Sequence, residues 1–297
     1  MRQTVLGICH SSGVRKDIRR IIIQLTVIVV LFLFHGLIPQ ISMAAEYRIS
    51  MLPLFGTDEI NSRIRPLAEY LSMETGLKIT PILVADFTQY AQQLSSGVIH
   101  IGYENPYVYV KNSGAHEAIA MASTGEQGFQ FRGIIITRAN SPLQTLADLK
   151  GKKIAIVSQS STGGFLSQNY SLAKNGINTL KDCIVEEATE NKQENVIFSV
   201  YTGDVDAGFI RESALSQVKD FVPAEAIHVL ERTAWLPNWA LSLNKKMPEA
   251  DKKKIIAAIE RLKPESLALK ALKVNAFKLT QDSEYNLLRE AAGLPIK

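Results

Sequence analysis

The chain has 297 residues, 46% hydrophobic and 21% charged, which is ordinary globular usage and excludes a disordered or collagen-like polypeptide. Thirty-three Lys and Arg against 29 Asp and Glu give a formal charge of +4, and two cysteines exclude a disulfide-dense scaffold. The excess charge is local. Residues 1–44 hold Arg2, Arg15, Lys16, Arg19 and Arg20 against the single acid Asp17, which leaves 28 charges of each sign from Ala45 onward. A neutral working chain has no overall field to attract nucleic acid, so none is expected as a partner.

The N-terminal excess reads as an export address. Arg19-Arg20 ends a basic region, Ile21 to Phe34 is apolar apart from Gln24 and Thr26, and Pro39 breaks a helix. Ser42-Met43-Ala44 then places small residues where a signal peptidase reads them. Residues 1–44 are expected to be a signal peptide cleaved after Ala44. Retention as a membrane anchor is the alternative, since Ile21 to Ile38 offers about 18 residues, just enough for a hydrocarbon core. With Cys9 in this segment, only Cys183 is exported; it opens an apolar stretch and is expected to be buried.

From Glu46 short apolar runs alternate with helical-period segments. Tyr47 to Leu52 reads as a strand. Asn61 can cap a helix with Ile64, Leu67, Ala68 and Leu71 on one face, closing at Gly76. Leu77 to Val84 is a second strand; Asp86 caps a helix carrying Phe87, Tyr90, Ala91 and Leu94 that ends at Gly97, and Val98 to Tyr103 is a third strand. This β-α-β-α-β order predicts a mostly parallel sheet covered by helices. Phe129 to Thr137 reads as one long strand. A second α/β set follows: helix Thr145 to Leu149, strand Lys153 to Val157, helix Thr162 to Asn175, strand Cys183 to Glu187, helix Glu194 to Tyr201 and strand Val205 to Ile210. Trp239 to Leu243 is expected to return to the first unit, with the last 50 residues helical. The division predicted is a first lobe from 45–136, a second from 137–235, and a return strand with C-terminal helices, 236–297, packing on the first lobe.

Three segments carry candidate chemistry. Strand Lys153 to Val157 runs into Ser158-Gln159-Ser160-Ser161-Thr162-Gly163-Gly164 and then a helix. The first amides of a helix lack intrahelical acceptors and carry partial positive charge; hydroxyls add donors, and glycine permits close approach. The segment suits a small oxyanion, or is simply a capped helix start with a serine-rich loop. It lacks the Gly-Lys-Ser/Thr ending of a nucleotide P-loop, and no Gly-x-Ser-x-Gly elbow occurs. Tyr103-Glu104-Asn105-Pro106-Tyr107-Val108-Tyr109 lies at a strand's carboxyl end, where open α/β sheets bind ligands. Asn105 can cap the next helix, Tyr107 is expected to face the cleft and Tyr109 the core. Asp206 and Arg211 bracket the last strand of the second unit. Arg211 can take an anion through its fork or bridge Glu212 or Asp206. His100, His116 and His228 are too scattered for a metal site, and no Ser or Cys has an identifiable histidine partner, so neither cofactor nor enzyme activity is expected.

Further stretches join these segments: Phe55-Gly56, Ala68-Glu69-Tyr70-Leu71, Leu146-Ala147-Asp148-Leu149-Lys150-Gly151-Lys152, and Gly203-Asp204-Val205-Asp206-Ala207-Gly208. Together they resemble the periplasmic phosphate, phosphite and phosphonate-binding proteins of ABC importers, over nearly all of Glu46 to Lys297. The resemblance implies an α/β, two-lobe type II periplasmic binding protein fold with a ligand cleft between the lobes. It implies that an oxyanion sits on Ser160, Ser161, Thr162 and Gly163, with Phe87 and the Tyr103, Asn105, Tyr107 turn as the opposite wall; Asp206 and Arg211 complete the candidate site. Residues 190–195 carry no histidine where phosphonate binders of the family usually have one, so the implied ligand is a small oxyanion in general. The implied partner is an ABC permease. The run Gly208-Phe209-Ile210-Arg211 looks like the branch used as periplasmic sensing domains, which makes a membrane sensor protein the alternative partner. A periplasmic monomer is expected in either case.

Overall fold

The computed structural model describes residues 45–296. The expected signal peptide, 1–44, lies outside the described residues.

Strand β1 (Glu46–Met51) leads through Gly56 into helix α1 (Thr57–Thr75), whose Ile60, Ile64, Leu67, Ala68 and Leu71 are buried. The apolar stripe sets the helix; Gly76, at φ 69°, stops it in the left-handed conformation that glycine adopts without strain. The helix begins four residues before Asn61, which therefore lies inside it. Strand β2 (Lys78–Pro81) follows, then α2 (Phe87–Ser96), capped by Asp86 accepting from Gln89 N. After β3 (Ile101–Glu104), Asn105 caps α3 (Pro106–Asn112) by accepting from Val108 N. Strands β4 (His116–Ser123), β5 (Gln130–Phe131) and β6 (Gly133–Arg138) carry the chain out of this first unit.

The second unit contains β7 (Lys153–Ile156), a π-turn over Thr162–Leu166 running into α4 (Ser167–Lys174), β8 (Ile184–Glu187), α5 (Gln193–Thr202), β9 (Ala207–Arg211) and β10 (Ile227–Arg232). The chain returns through β11 (Leu236–Pro237) to β12 (Ala240–Asn244), α6 (Glu249–Glu260), α7 (Leu267–Leu272), β13 (Ala276–Leu279) and α8 (Asn286–Ala291).

These strands form two sheets. The first runs β13-β4-β12-β3-β1-β2, parallel among β1, β2 and β3 and antiparallel elsewhere; the second runs β10-β6-β9-β7-β8, parallel among β7, β8 and β9. The two crossings, β5 and β11, pair antiparallel between them. The long strand expected over Phe129 to Thr137 is two strands interrupted at Arg132, and its second half pairs with β9 and β10. Residues 133–136, assigned by the sequence to the first lobe, thus belong to the second sheet. β12 returns to the first sheet between β3 and β4. β13 replaces part of the expected C-terminal helix run. Each sheet has its own apolar core, around Ile49, Ile64, Leu67 and Leu241 in one and Ile134, Ile154, Val196 and Phe209 in the other. Cys183 is buried, with its thiol on the Leu149 carbonyl.

The first core also holds a polar chain. Glu104 is fully buried, its carboxyl 2.6 Å from Ser242 Oγ and accepting from Tyr90 Oη at 2.8 Å. Ser242 Oγ lies 2.9 Å from His116 Nδ1, and His116 Nε2 lies 3.1 Å from the Ile99 carbonyl. Burial pulls the His116 imidazole down to about 4 and pushes the Glu104 carboxyl up to about 7. A neutral imidazole has one ring proton, which the Ile99 carbonyl takes. Its Nδ1 then accepts from Ser242, and Ser242 Oγ in turn accepts from a protonated Glu104. Below about pH 7, where Glu104 holds its proton, every group is satisfied without charge, which a low-dielectric site favours.

The two groups oppose each other in pH. The raised Glu104 pKa favours the folded state below its unfolded value and loses that stability as pH rises from about 4.5 to 7; the depressed His116 pKa does the reverse between about 4 and 6.5. Glu104→Gln removes the falling contribution. Urea melts of that variant are expected to show stability rising from pH 4 to 6.5 at up to about 1.4 kcal/mol per unit, where the parent protein stays nearly flat.

Candidate functional site

The loop between β7 and α4 is drawn tight by its own backbone. Ser161 N donates to Ser158 O at 3.0 Å, Leu166 N to Ser161 O at 2.9 Å, and Val157 N to Gly164 O at 3.2 Å. Ser161 Oγ accepts from Gly164 N at 3.1 Å, which makes it the cap and leaves its own proton to donate. Thr162 is buried and its Oγ1 has no hydrogen-bond partner among the described residues. The amides of Thr162 and Gly163 open the helical turn and lack intrahelical acceptors. The surroundings also include an acid: Glu187 accepts from Gln159 N at 2.9 Å.

Gly164 is required by contact, and Gly163 is closely packed. A Cβ on Gly164 would stand 2.4 Å from Val157 Cγ2, and one on Gly163 would stand 3.1 Å from Phe131 Cε2 and 3.2 Å from Arg211 Cβ. The turn is anchored by Gln168. Its Nε2, fully buried, lies within 3.1 Å of the carbonyls of Ile134, Gly163 and Ile210, the last two at 2.9 Å, while its Oε1 accepts from Ser167 Oγ. Gly133 leaves room for that amide, since a Cβ there would lie 2.4 Å from Gln168 Nε2.

One cavity reaches this turn and a second reaches Arg211. The first, of about 770 Å³, joins Ser160 to Phe87, Asn105, Tyr107 and Lys111 of the first unit. Asn105 has already spent its oxygen as the α3 cap, and Tyr107 is partly buried with Lys111 Nζ 5.4 Å from its ring centre. The other, of about 680 Å³, is lined by Tyr103, Arg63, Thr124, Arg211, Asn238 and Trp239, among others. Tyr109 is fully buried, while Tyr107 lines the first of these cavities.

Arg211, at the carboxyl end of β9, lays its guanidinium over the Phe131 ring at 4.5 Å, with Nη2 3.4 Å from Thr124 Oγ1. Its Nε is buried without a partner, and no carboxylate among the described residues pairs with it. Burial pulls its pKa down to about 10, so it is charged at neutral pH. Glu212 does not neutralise it: Arg132 holds that carboxylate at 2.7 and 2.8 Å, with Arg232 and Gln127 each at 3.1 Å. Local ion pairing is therefore the role of Glu212. Asp206 is not at the cleft. Its carboxylate accepts from Lys153 N at 2.9 Å, at the amino ends of β7 and β9, opposite Arg211, where it ties two strand starts together.

Gly163 of the turn thus lies against Arg211, Ser160 faces Phe87, Asn105 and Tyr107 across one cavity, and Arg211 shares the other with Tyr103. The sequence reading missed Arg63, Thr124, Asn238, Trp239 and Gln168. Thr124 and Asn238 carried no signal, being single polar residues beside strands β4 and β11, which are themselves short or alanine-rich. Among the described residues no group of three or more His, Cys, Asp and Glu could hold a metal ion, and no helix is long and apolar enough to cross a membrane.

Two α/β units with two crossing strands, and a polar turn and a bare cation at the strand carboxyl ends, define a two-lobe type II solute-binding fold. Solved structures agree. XAC2383 from Xanthomonas citri bound to ATP superposes with a TM-score of 0.70 at 18% identity, covering 84% of this chain and 96% of that one. PhnD1 from Prochlorococcus marinus (MIT 9301) in complex with methylphosphonate gives 0.65 at 16% identity, covering 84% and 97%. The chain belongs to the family described as ABC transporter, phosphonate, periplasmic substrate-binding protein, whose model matches residues 49–285. It is 24% identical over 173 residues to the phosphate-import protein PhnD of Mycolicibacterium smegmatis. That match covers 54% of this chain and spans about half, 53%, of the curated relative's length.

The Gln168 tie gives a test of how the site is built. Gln168→Leu removes the side-chain donor shared by three buried carbonyls and is expected to cost roughly 1–3 kcal/mol in urea melts. Gln168→Glu, which keeps the shape, is expected to lose at least as much, because it sets a carboxylate against three carbonyl oxygens.

Proposed function

We propose that the protein is an exported solute receptor that captures a small oxyanion, phosphate or a phosphonate, between its two lobes and presents the closed form to an ABC permease. The observation that carries the reading is the Ser160–Gly164 turn: Ser160 lines the cavity opposite Phe87, Asn105 and Tyr107, and beside it in the chain stand a buried Thr162 hydroxyl without a partner, the free proton of Ser161 and two opening amides. Such a cluster of donors suits an oxyanion and needs no metal. Phe87, Asn105 and Tyr107 across the cavity supply the second wall, so that ligand bridging both lobes shifts the population toward the closed form. The similarity to the phosphate-import protein PhnD and the family description point the same way.

Within this reading residues 1–44 act as the cleaved signal, the working protein is a periplasmic monomer, and the ligand is bound and released unchanged. The site has hydroxyl and amide donors in abundance, as capture of an oxyanion requires.

Calorimetry with phosphate and methylphosphonate tests the assignment. The double variant Ser161→Ala with Thr162→Val removes two hydroxyl donors, each worth about 1–3 kcal/mol against a charged acceptor, and is expected to weaken binding at least about 30-fold. Unchanged affinity in a variant that still melts cooperatively would remove the turn from the site.

A further inference from the structure

We infer that the cleft has a second anion seat, built on Arg211, Thr124 and Tyr103, and that the preferred ligand is therefore a phosphonate bearing an additional acidic group, of the phosphonocarboxylate class. The inference rests on the reading of the Ser160–Gly164 turn as the first seat.

Arg211 is the anomaly that points to it. Arg63 in the same cavity pairs with Glu59 at 2.6 Å, and Arg132 and Arg232 share Glu212. Lys273, also in the wall, is exposed and lies 3.9 Å from Glu59, whereas Arg211 has no carboxylate partner and its Nε is buried without an acceptor. A buried cation left unpaired is costly, so the fold holds open a place for an anion. A guanidinium presents a planar fork that matches a carboxylate through two parallel hydrogen bonds.

The neighbouring groups add donors. Thr124 Oγ1 accepts from Asn238 Nδ2 at 2.7 Å and faces Arg211 Nη2 at 3.4 Å. Asn238 cannot reverse its amide, because Nδ2 also donates to Gly128 O and Oδ1 accepts from Trp239 N. With its lone pairs turned to two N–H groups, Thr124 has only its own O–H to offer the cavity. The Tyr103 hydroxyl, in the same wall, has no hydrogen-bond partner among the described residues. Guanidinium and two hydroxyls facing one space complement a carboxylate. Glu126 lines the same cavity but is exposed.

Placement links the two seats. Gly163 of the turn packs on the stem of Arg211, so closely that a Cβ would lie 3.2 Å from Arg211 Cβ. The first oxyanion and the second acidic group would then sit on either side of Gly163, toward Ser160 and toward Arg211.

Methylphosphonate and phosphonoacetate differ by one carboxylate and make the discriminating pair. By calorimetry the parent protein is expected to bind phosphonoacetate about ten-fold or more tightly than methylphosphonate. Arg211→Gln is expected to bring that ratio close to one, and Arg211→Lys, which keeps the charge without the fork, to retain part of it; thermal melts establish that each variant is folded. Thr162→Val is expected to weaken both ligands alike and leave the ratio unchanged. Equal affinities in the parent protein, or a folded Arg211→Gln that preserves the preference, would overturn the second seat while leaving the first standing. Binding of neither probe by the parent protein would overturn both.

Discussion

One buried carboxamide holds the functional end of the second lobe together. Gln168 reaches the carbonyls of Ile134 on β6, Gly163 in the turn and Ile210 on β9, three segments far apart in the chain. Two amide protons serve three acceptors in a region sealed from water, where an unpaired carbonyl would be costly. The consequence is positional. Residue 163 begins the helical turn and residue 211 follows Ile210, so the same amide that satisfies the backbone also sets the turn beside the guanidinium. Three glycines, Gly133, Gly163 and Gly164, make this possible by leaving space that any Cβ would fill.

Charge is placed with the same economy. From Ala45 onward the chain is neutral, so an anion is not drawn by the protein as a whole; it must meet local donors. Those donors are of two kinds. The turn offers hydroxyls and amides, which bind by hydrogen bonding and dipole, while Arg211 offers a full charge whose nearest carboxylate neighbour in sequence, Glu212, is already held by Arg132 and Arg232. Arg211 and Glu212 both border the same cavity, and it is the hold of Arg132 and Arg232 on Glu212 that leaves the Arg211 cation without a carboxylate partner.

The first lobe solves the opposite problem. Glu104 sits one residue from the Asn105 cap and next to Tyr103 in the cavity wall, yet its side chain points into the core. A protonated carboxyl, a serine hydroxyl and a neutral imidazole pass hydrogen bonds in one direction and end on a backbone carbonyl. Burial, by raising the Glu104 carboxyl pKa to about 7, reduces the negative charge beneath an anion-binding cleft.

Much of this organisation was legible in the residues. Apolar spacing at Ile64, Leu67 and Leu71 marked α1, Asp86 and Asn105 marked two caps, and the hydroxyl-glycine run after β7 marked the turn, because each depends on local backbone chemistry. β4 was not legible: its alternating alanines, buried on both faces, lack the branched side chains that signal a strand. Nor was the pairing of β6, since a strand's sheet is chosen by distant partners. Asp206 and Arg211 show the same division. By sequence they are two charges five residues apart bracketing one strand; only the register of β9 against β7 puts the first at the amino end, bonded to Lys153, and the second at the carboxyl end in the cleft. The sequence by itself determined the alternating elements, the caps and the chemistry of the turn. The tertiary structure decided which charges are spent on the scaffold and which remain free, because that depends on partners remote in the chain brought within hydrogen-bonding distance.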